Sequence, residues 1–267
     1  MKTIYDYEKR IVAFVDILGF QSMVDTSVVD HYTFLKIRDA LERFRELKRE
    51  KEDDLYDKDI KVTTFSDSLV ISYPANYVGG LFHILFDLTI LQFDLLQNGV
   101  FVRGGIALGD LRHIQKEIFG PAMNAAYYLE NEKAIYPRII IEESTLNTGI
   151  DSTYDKQNDE PLIDQNNHDV ETKEVTELLK KDPDGYYSLD YLRIAAGELD
   201  TIDEYYLALN RARNYIQTAL SINHDNDTVR QKYEWLADYY NTVVTELEAV
   251  NGSTGLSILE AGPWVNQ

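Results

Sequence analysis

The sequence predicts an α+β fold: a ferredoxin-like βαββαβ unit followed by a C-terminal helical extension. Three observations predict it. Short β-rich runs alternate with helix-periodic stretches, in the order β-α-β-β-α-β, up to residue 108. Ser66-Asp67-Ser68 interrupts two of those runs as the tip of a hairpin does. Two long amphipathic stretches, 202–221 and 228–250, close the chain, the second with apolar residues at 229, 233, 236, 240, 243 and 247.

Taken in order, the first β-type run, 11–15, ends on Asp16, and 33–51 follows with apolar residues at 34, 37, 41, 44 and 47. Runs 60–65 and 69–73 flank the hairpin tip. The stretch 80–97 is the most apolar, but it carries His83, Asp87 and Asp94 on one helical face, which suits a buried amphipathic helix better than a membrane span. A strand over 100–108 completes the unit. Right-handed crossovers make the first two strands parallel with the third between them, so the end of strand one and the hairpin tip share one edge. Topology alone therefore sets Asp16 beside Asp67.

Beyond this, 121–131 reads as a short helix opened by Pro121 and 138–141 as a strand. The expected organisation is a first domain over 1–146, a polar insertion or linker over 147–186, and a helical extension over 187–267 packed on the first unit or on a second copy of it. Within the insertion, 174–181 reads as a short helical patch and Asp182-Pro183-Asp184-Gly185 as a turn.

Composition narrows the function classes. A formal net charge of -20, from 46 acidic against 26 basic residues, argues against nucleic acid and anionic membrane as partners. An anionic ligand would need a metal and local arginines. Cysteine is absent, which excludes disulfides, thiolate nucleophiles and Cys-ligated zinc and fits a cytoplasmic chain. Residues 1–10 are charged from the start and do not read as a signal peptide. The five histidines show no metal-ligand spacing, and Gly104, Gly105 and Gly109 form neither a Walker loop nor a dinucleotide fingerprint.

Two carboxylates at a strand end and a turn, with apolar strands behind them, suit hard divalent cations. Taken singly, Asp67 is ordinary turn chemistry, Arg103 a solvated strand end, Arg138 an edge charge and Asn124 a helix cap.

As a set, these residues resemble the class III nucleotidyl cyclases. Phe14-Val15-Asp16-Ile17-Leu18-Gly19-Phe20 resembles their first metal motif, and Phe65-Ser66-Asp67-Ser68 the second. Val102-Arg103-Gly104-Gly105-Ile106, Phe119-Gly120-Pro121-Ala122-Met123-Asn124-Ala125-Ala126 and Arg138-Ile139-Ile140-Ile141-Glu142-Glu143 resemble three further motifs, in order, over 11–146. The resemblance implies that Asp16, Asp67 and the Ile17 carbonyl hold two divalent ions, Mn2+ or Mg2+. It further implies that Arg103 and Arg138 contact phosphates and that Asn124 orients the ribose. The chain departs from the pattern at Tyr128, where these cyclases carry a transition-state arginine; Arg112 is a candidate replacement.

Thr63 and Glu117 occupy the positions of the purine-reading lysine and aspartate, and neither purine pattern fits them. A carboxylate at Glu117 can accept from N3–H of uracil or the N4 amine of cytosine. With Lys232-Tyr233-Glu234-Trp235-Leu236-Ala237 in its tail, the chain is most similar to the stand-alone pyrimidine cyclases of bacterial Pycsar antiphage systems. That resemblance implies a cytoplasmic homodimer with sites at the subunit interface, converting UTP, or alternatively CTP, to a cyclic nucleotide that activates a separate effector. A purine (adenylate) cyclase, a non-catalytic nucleotide sensor and an interaction protein stay open as alternatives.

Overall fold

Strand β1 (Glu8–Ile17) is buried on both faces from Arg10 to Val15, which is why its apolar run is continuous rather than alternating. The structure, a computed structural model, describes residues 6–53, 59–151, 154–155, 160–161 and 165–258. The first five residues of the charged N-terminus, 54–58, parts of the expected insertion (152–153, 156–159 and 162–164) and the end of the tail (259–267) lie outside the described residues.

From β1 the chain passes through α1 (Phe20–Ser27) and α2 (His31–Asp53) to β2 (Lys61–Phe65), β3 (Ser68–Pro74), α3 (Gly80–Gln97) and β4 (Val102–Ile114). The sheet order is β2-β3-β1-β4, every neighbouring pair antiparallel, so β1 and β2 run parallel with β3 between them. This is the ferredoxin-like arrangement expected from the sequence. Strand β4 runs past residue 108 because its far half pairs with β5 (Glu117–Phe119) as a hairpin arm.

After β5 come α4 (Pro121–Tyr128), a π-helical turn (Leu129–Lys133) and β6 (Ile139–Ile141), which pairs parallel to β4. Then follow α5 (Glu143–Asp151), the two-residue strands β7 (Tyr154–Asp155) and β8 (Glu160–Pro161), α6 (Gln165–Glu177), β9 (Leu179–Lys181) and β10 (Tyr187–Leu189). Here the structure departs from the expected boundary near 146: β10 pairs with β6 and β9 with β10, so the polar segment extends the same sheet. The expected helical patch over 174–181 is the end of α6 running into β9. Val175, Leu178 and Leu189 anchor the segment in the main core, but they are too few to impose a period on the polar residues around them.

The chain ends in α7 (Tyr191–Glu198), α8 (Ile202–Ile222) and α9 (Asp227–Asn251). Thr201 and Asn226 cap the last two helices by accepting from Glu204 N and Val229 N. One sheet face packs on α2, α3, α5 and α6; the other meets α4. Helix α3 is long and apolar enough by composition to cross a membrane, yet it lies inside the fold. Ile84, Leu88 and Leu91 face the sheet, while Phe93 and Leu96 face the C-terminal helices, so the helix needs apolar residues nearly all round. Its acids are paired, Asp87 with Lys51 at 2.8 Å and Asp94 with Arg43 at 3.0 Å.

Candidate active site

Register assembles the site. Across four strands Phe65 pairs with Ser68, Ser68 with Asp16 and Asp16 with Arg103, so the four residues form one row on the face that carries Phe14 and α4. The hairpin that presents Asp67 turns through Ser66, whose φ of 52° lies in the left-handed region that a non-glycine residue adopts at a cost of about 1 kcal/mol. Asp67 is tied to the strand end, its carbonyl accepting from Ile17 N at 3.2 Å. Ser68 Oγ donates to Asp16 Oδ1 at 2.9 Å. Burial raises the Asp16 pKa, the Ser68 hydrogen bond and Arg103 oppose the rise, and the negative charge of Asp67 adds to it.

Two like charges held at one edge, one of them desolvated, make a donor set that fits a hard divalent cation. Among the described residues no group of three or more His, Asp or Glu side chains is placed to hold a metal unaided. The two aspartates are the part of such a donor set that the described residues supply.

A third carboxylate lies beside them. A Cβ on Gly105 would come within 2.4 Å of Ala126 O and of Leu129 Cβ, so the glycine is what lets α4 and the π-turn lie directly on the sheet. The turn is closed by Ala134 N donating to Leu129 O at 2.7 Å, a bond spanning five residues, and it drives Glu130 inward to 2 % exposure. There its carboxylate sits 2.6 Å from Arg103 Nε. Burial pushes the Glu130 pKa up to about 7; Arg103 opposes this, and Asp16 and Asp67 reinforce it. The sequence reading missed Glu130 because a glutamate late in an ordinary helix reads as solvent-facing.

Asn124 and Tyr128 are both exposed on α4, and the Tyr127 ring meets Phe14 edge-on at 5.4 Å. The π-turn also brings Lys133 to Tyr128, its ammonium 5.5 Å from the ring centre. The phenol raises the Lys133 pKa, so a cation stands beside Tyr128.

Thr63 and Glu117 line one cleft of about 1380 Å³, with Phe65, Arg112 and His113 among its walls. Thr63 is buried and its hydroxyl is committed. It donates to Gln115 O at 3.0 Å and meets His113 Nε2 at 3.0 Å, while His113 Nδ1 meets Ser72 Oγ at 2.8 Å. Since Arg10 Nε already donates to Ser72 Oγ at 2.9 Å, the consistent assignment is a neutral histidine whose Nε2–H donates to Thr63. Burial and then the Arg10 charge lower the His113 pKa to about 4. Glu117 accepts from Arg112 Nη2 at 2.9 Å, and Arg112 also holds Asp6 at 2.9 Å. Arg112 is thus spent within the β4–β5 hairpin and is not poised as the replacement for the arginine at 128.

Arg138 corrects the sequence expectation most clearly. It is 1 % exposed, pairs with Asp182 at 2.5 Å and with Asp184, and lies over the rings of Tyr136 and Trp235 at 5.2 and 5.5 Å. A guanidinium so neutralised and enclosed is not presented to a triphosphate.

No protein-family model and no curated protein sequence matches the chain. Among solved structures it is similar to a bacterial light-regulated adenylyl cyclase, at 14% identity over 53% of this chain and 79% of that one, with a TM-score of 0.38. It is also similar to the adenylyl cyclase CyaB from P. aeruginosa, at 15% identity over 55% of this chain and 82% of that one, with a TM-score of 0.37. Function at such distance has to come from the site itself.

Proposed function

We propose that the chain is a class III-type nucleotidyl cyclase that converts UTP to 3′,5′-cyclic UMP and pyrophosphate. The observation that carries this reading is the meeting of Asp16 and Asp67 at one sheet edge, in register with Arg103. Bound at these carboxylates, divalent ions would activate the ribose hydroxyl and neutralise the leaving pyrophosphate. Arg103 offers a guanidinium to phosphate oxygens, and Asn124 is exposed for a ribose contact. Tyr128, with Lys133 at its ring, supplies a donor and a nearby positive charge where phosphate charge develops.

The pyrimidine preference rests on chemistry at the cleft. Thr63 offers no cation where a purine reader has lysine, and Glu117 remains an exposed acceptor with one oxygen engaged by Arg112. CTP is the alternative substrate. Homodimerisation is supported by apolar surface around the site, where Phe65, Tyr127 and Tyr128 are 44 %, 51 % and 50 % exposed. A separate effector in antiphage defence is the proposed receiver of the product.

The test is the purified 267-residue chain with manganese and each of the four nucleoside triphosphates in turn, with products identified by mass. Cyclic UMP from UTP is expected, with at least a ~100-fold loss in Asp67→Asn, the scale of removing a metal-ion contribution. Equal activity in the substituted protein would overturn the reading.

A further inference from the structure

A buried line of hydrogen bonds runs from the core to the wall of the cleft that holds Thr63 and Glu117. Arg10 Nε donates to Ser72 Oγ at 2.9 Å, and Arg10 Nη2 donates to the carbonyl of the same serine at 3.0 Å. Ser72 Oγ meets His113 Nδ1 at 2.8 Å, His113 Nε2 meets Thr63 Oγ1 at 3.0 Å, and Thr63 Oγ1 donates to Gln115 O at 3.0 Å. Arg10, Ser72, His113 and Thr63 are all buried, and they come from β1, β3, β4 and β2 in turn. His113 can reach the outer strands because β4 runs on past Leu111, the last of its residues to pair with β1.

The ends of the line fix its direction. A guanidinium only donates and a carbonyl only accepts, so every proton between them points from Arg10 towards Gln115. Burial and then the Arg10 charge keep a second proton off His113. The neutral ring accepts from Ser72 at Nδ1 and donates to Thr63 from Nε2. Thr63 spends its own proton on Gln115 O, and what its hydroxyl has left for the cleft is a lone pair. A rotating hydroxyl donates or accepts as its neighbour requires and so reads no base; one held in this way only accepts. A buried network with every member satisfied specifies one arrangement of its groups.

We propose that His113 is a positioning residue for base recognition: it holds the Thr63 oxygen as an acceptor on the cleft wall that also carries the Glu117 carboxylate, and thereby favours uracil over cytosine. The inference rests on the cyclase reading, which is what brings a base to this cleft. Uracil carries a proton on N3, where cytosine carries a lone pair. An acceptor wall pairs with the first and is left facing another acceptor by the second. His113 acts through Thr63 and touches no reacting atom.

The ratio of kcat/KM for UTP to that for CTP, taken on one preparation, does not depend on how much of the chain is folded, so it separates recognition from stability. His113→Phe keeps a ring and removes both hydrogen bonds. It is expected to lower the ratio about tenfold, through a higher KM for UTP with kcat within about threefold of the parent. His113→Gln can still donate to Thr63 and accept from Ser72, and should stay within about threefold of the parent's ratio. Thr63→Val should lower the ratio by itself, and adding His113→Phe to it should change nothing further, because the histidine works through that hydroxyl. An unchanged ratio in His113→Phe or in Thr63→Val overturns the inference. So does a His113→Gln protein no better than His113→Phe, or a double variant in which the two losses add. If Asp67→Asn abolishes cyclisation while His113→Phe keeps the parent's ratio, the inference alone falls and the metal reading stands. A parent chain that cyclises neither pyrimidine triphosphate overturns both.

Discussion

Arg103 and Arg138 stand at neighbouring strand starts, tied by Gly104 N donating to Arg138 O at 3.1 Å. Their surroundings differ in charge balance. Around Arg138, two cations (Lys180 is the other) face Asp182 and Asp184, with Trp235, Tyr136 and Tyr239 closing over them. Around Arg103, three carboxylates crowd one edge: Asp16, Asp67 and Glu130. The first set is complete in itself and holds the β9–β10 hairpin and α9 to the sheet. The second carries more acid than base, and the Arg103 guanidinium is the cation set among them. A shared residue type at adjacent positions therefore says little of role; what the surrounding groups leave uncompensated says more.

The comparison is broken most directly at Arg138. Arg138→Met strips buried Asp182 of one of its two cations, leaving Lys180, and is expected to cost about 3 kcal/mol of stability, the lower end for breaking a buried pair, read by denaturant unfolding. Arg103→Met should cost clearly less, because Glu130, already near neutrality, takes up a proton instead. Equal losses at the two positions would erase the distinction.

The next effect sharpens the edge itself. The folded pKa of Glu130, about 7, lies above its ordinary value of 4.5, so the native chain holds the proton more tightly. Its contribution to stability is complete below that ordinary value and is lost as pH rises through about 7. Glu130→Gln should therefore gain on the parent by about 2.5 kcal/mol between pH 5 and pH 8. His113 works in the opposite sense. Neutral in the fold down to about pH 4, it withdraws stability as pH falls from 6.5, and it cancels in the parent-to-variant difference. A flat difference profile would show that Glu130 is not held neutral at the edge.

The smallest effect belongs to Lys133. Lys133→Met should lower kcat about tenfold with little change in KM. Its ammonium lies at the surface, so the melting temperature should not move.

Residues near in pattern were legible before the structure, and residues joined by irregular backbone were not. Asp16 and Asp67 follow from strand period, hairpin chemistry and crossover handedness, none of which needs a side-chain contact. Helix α3 was readable to both of its ends because its composition serves two cores. Arg138 misled because the carboxylates that neutralise it lie 44 and 46 positions away, in a polar turn with no period. The β9–β10 hairpin escaped notice because each of its strands is three residues long. Glu130 and Lys133 were invisible for a single reason, the switch from α to π winding at Leu129–Lys133.

That widened turn holds one residue more than an α-helical turn needs, and surplus residues of this kind are local insertions in an otherwise regular helix. A chain shorter by one codon there would keep its sheet, its helices and the juxtaposition of Asp16 and Asp67. It would nevertheless swing Lys133 roughly 100° around the helix axis, away from Tyr128. The electrostatics of the pocket could thus be rewritten by the gain or loss of one position, with the scaffold untouched.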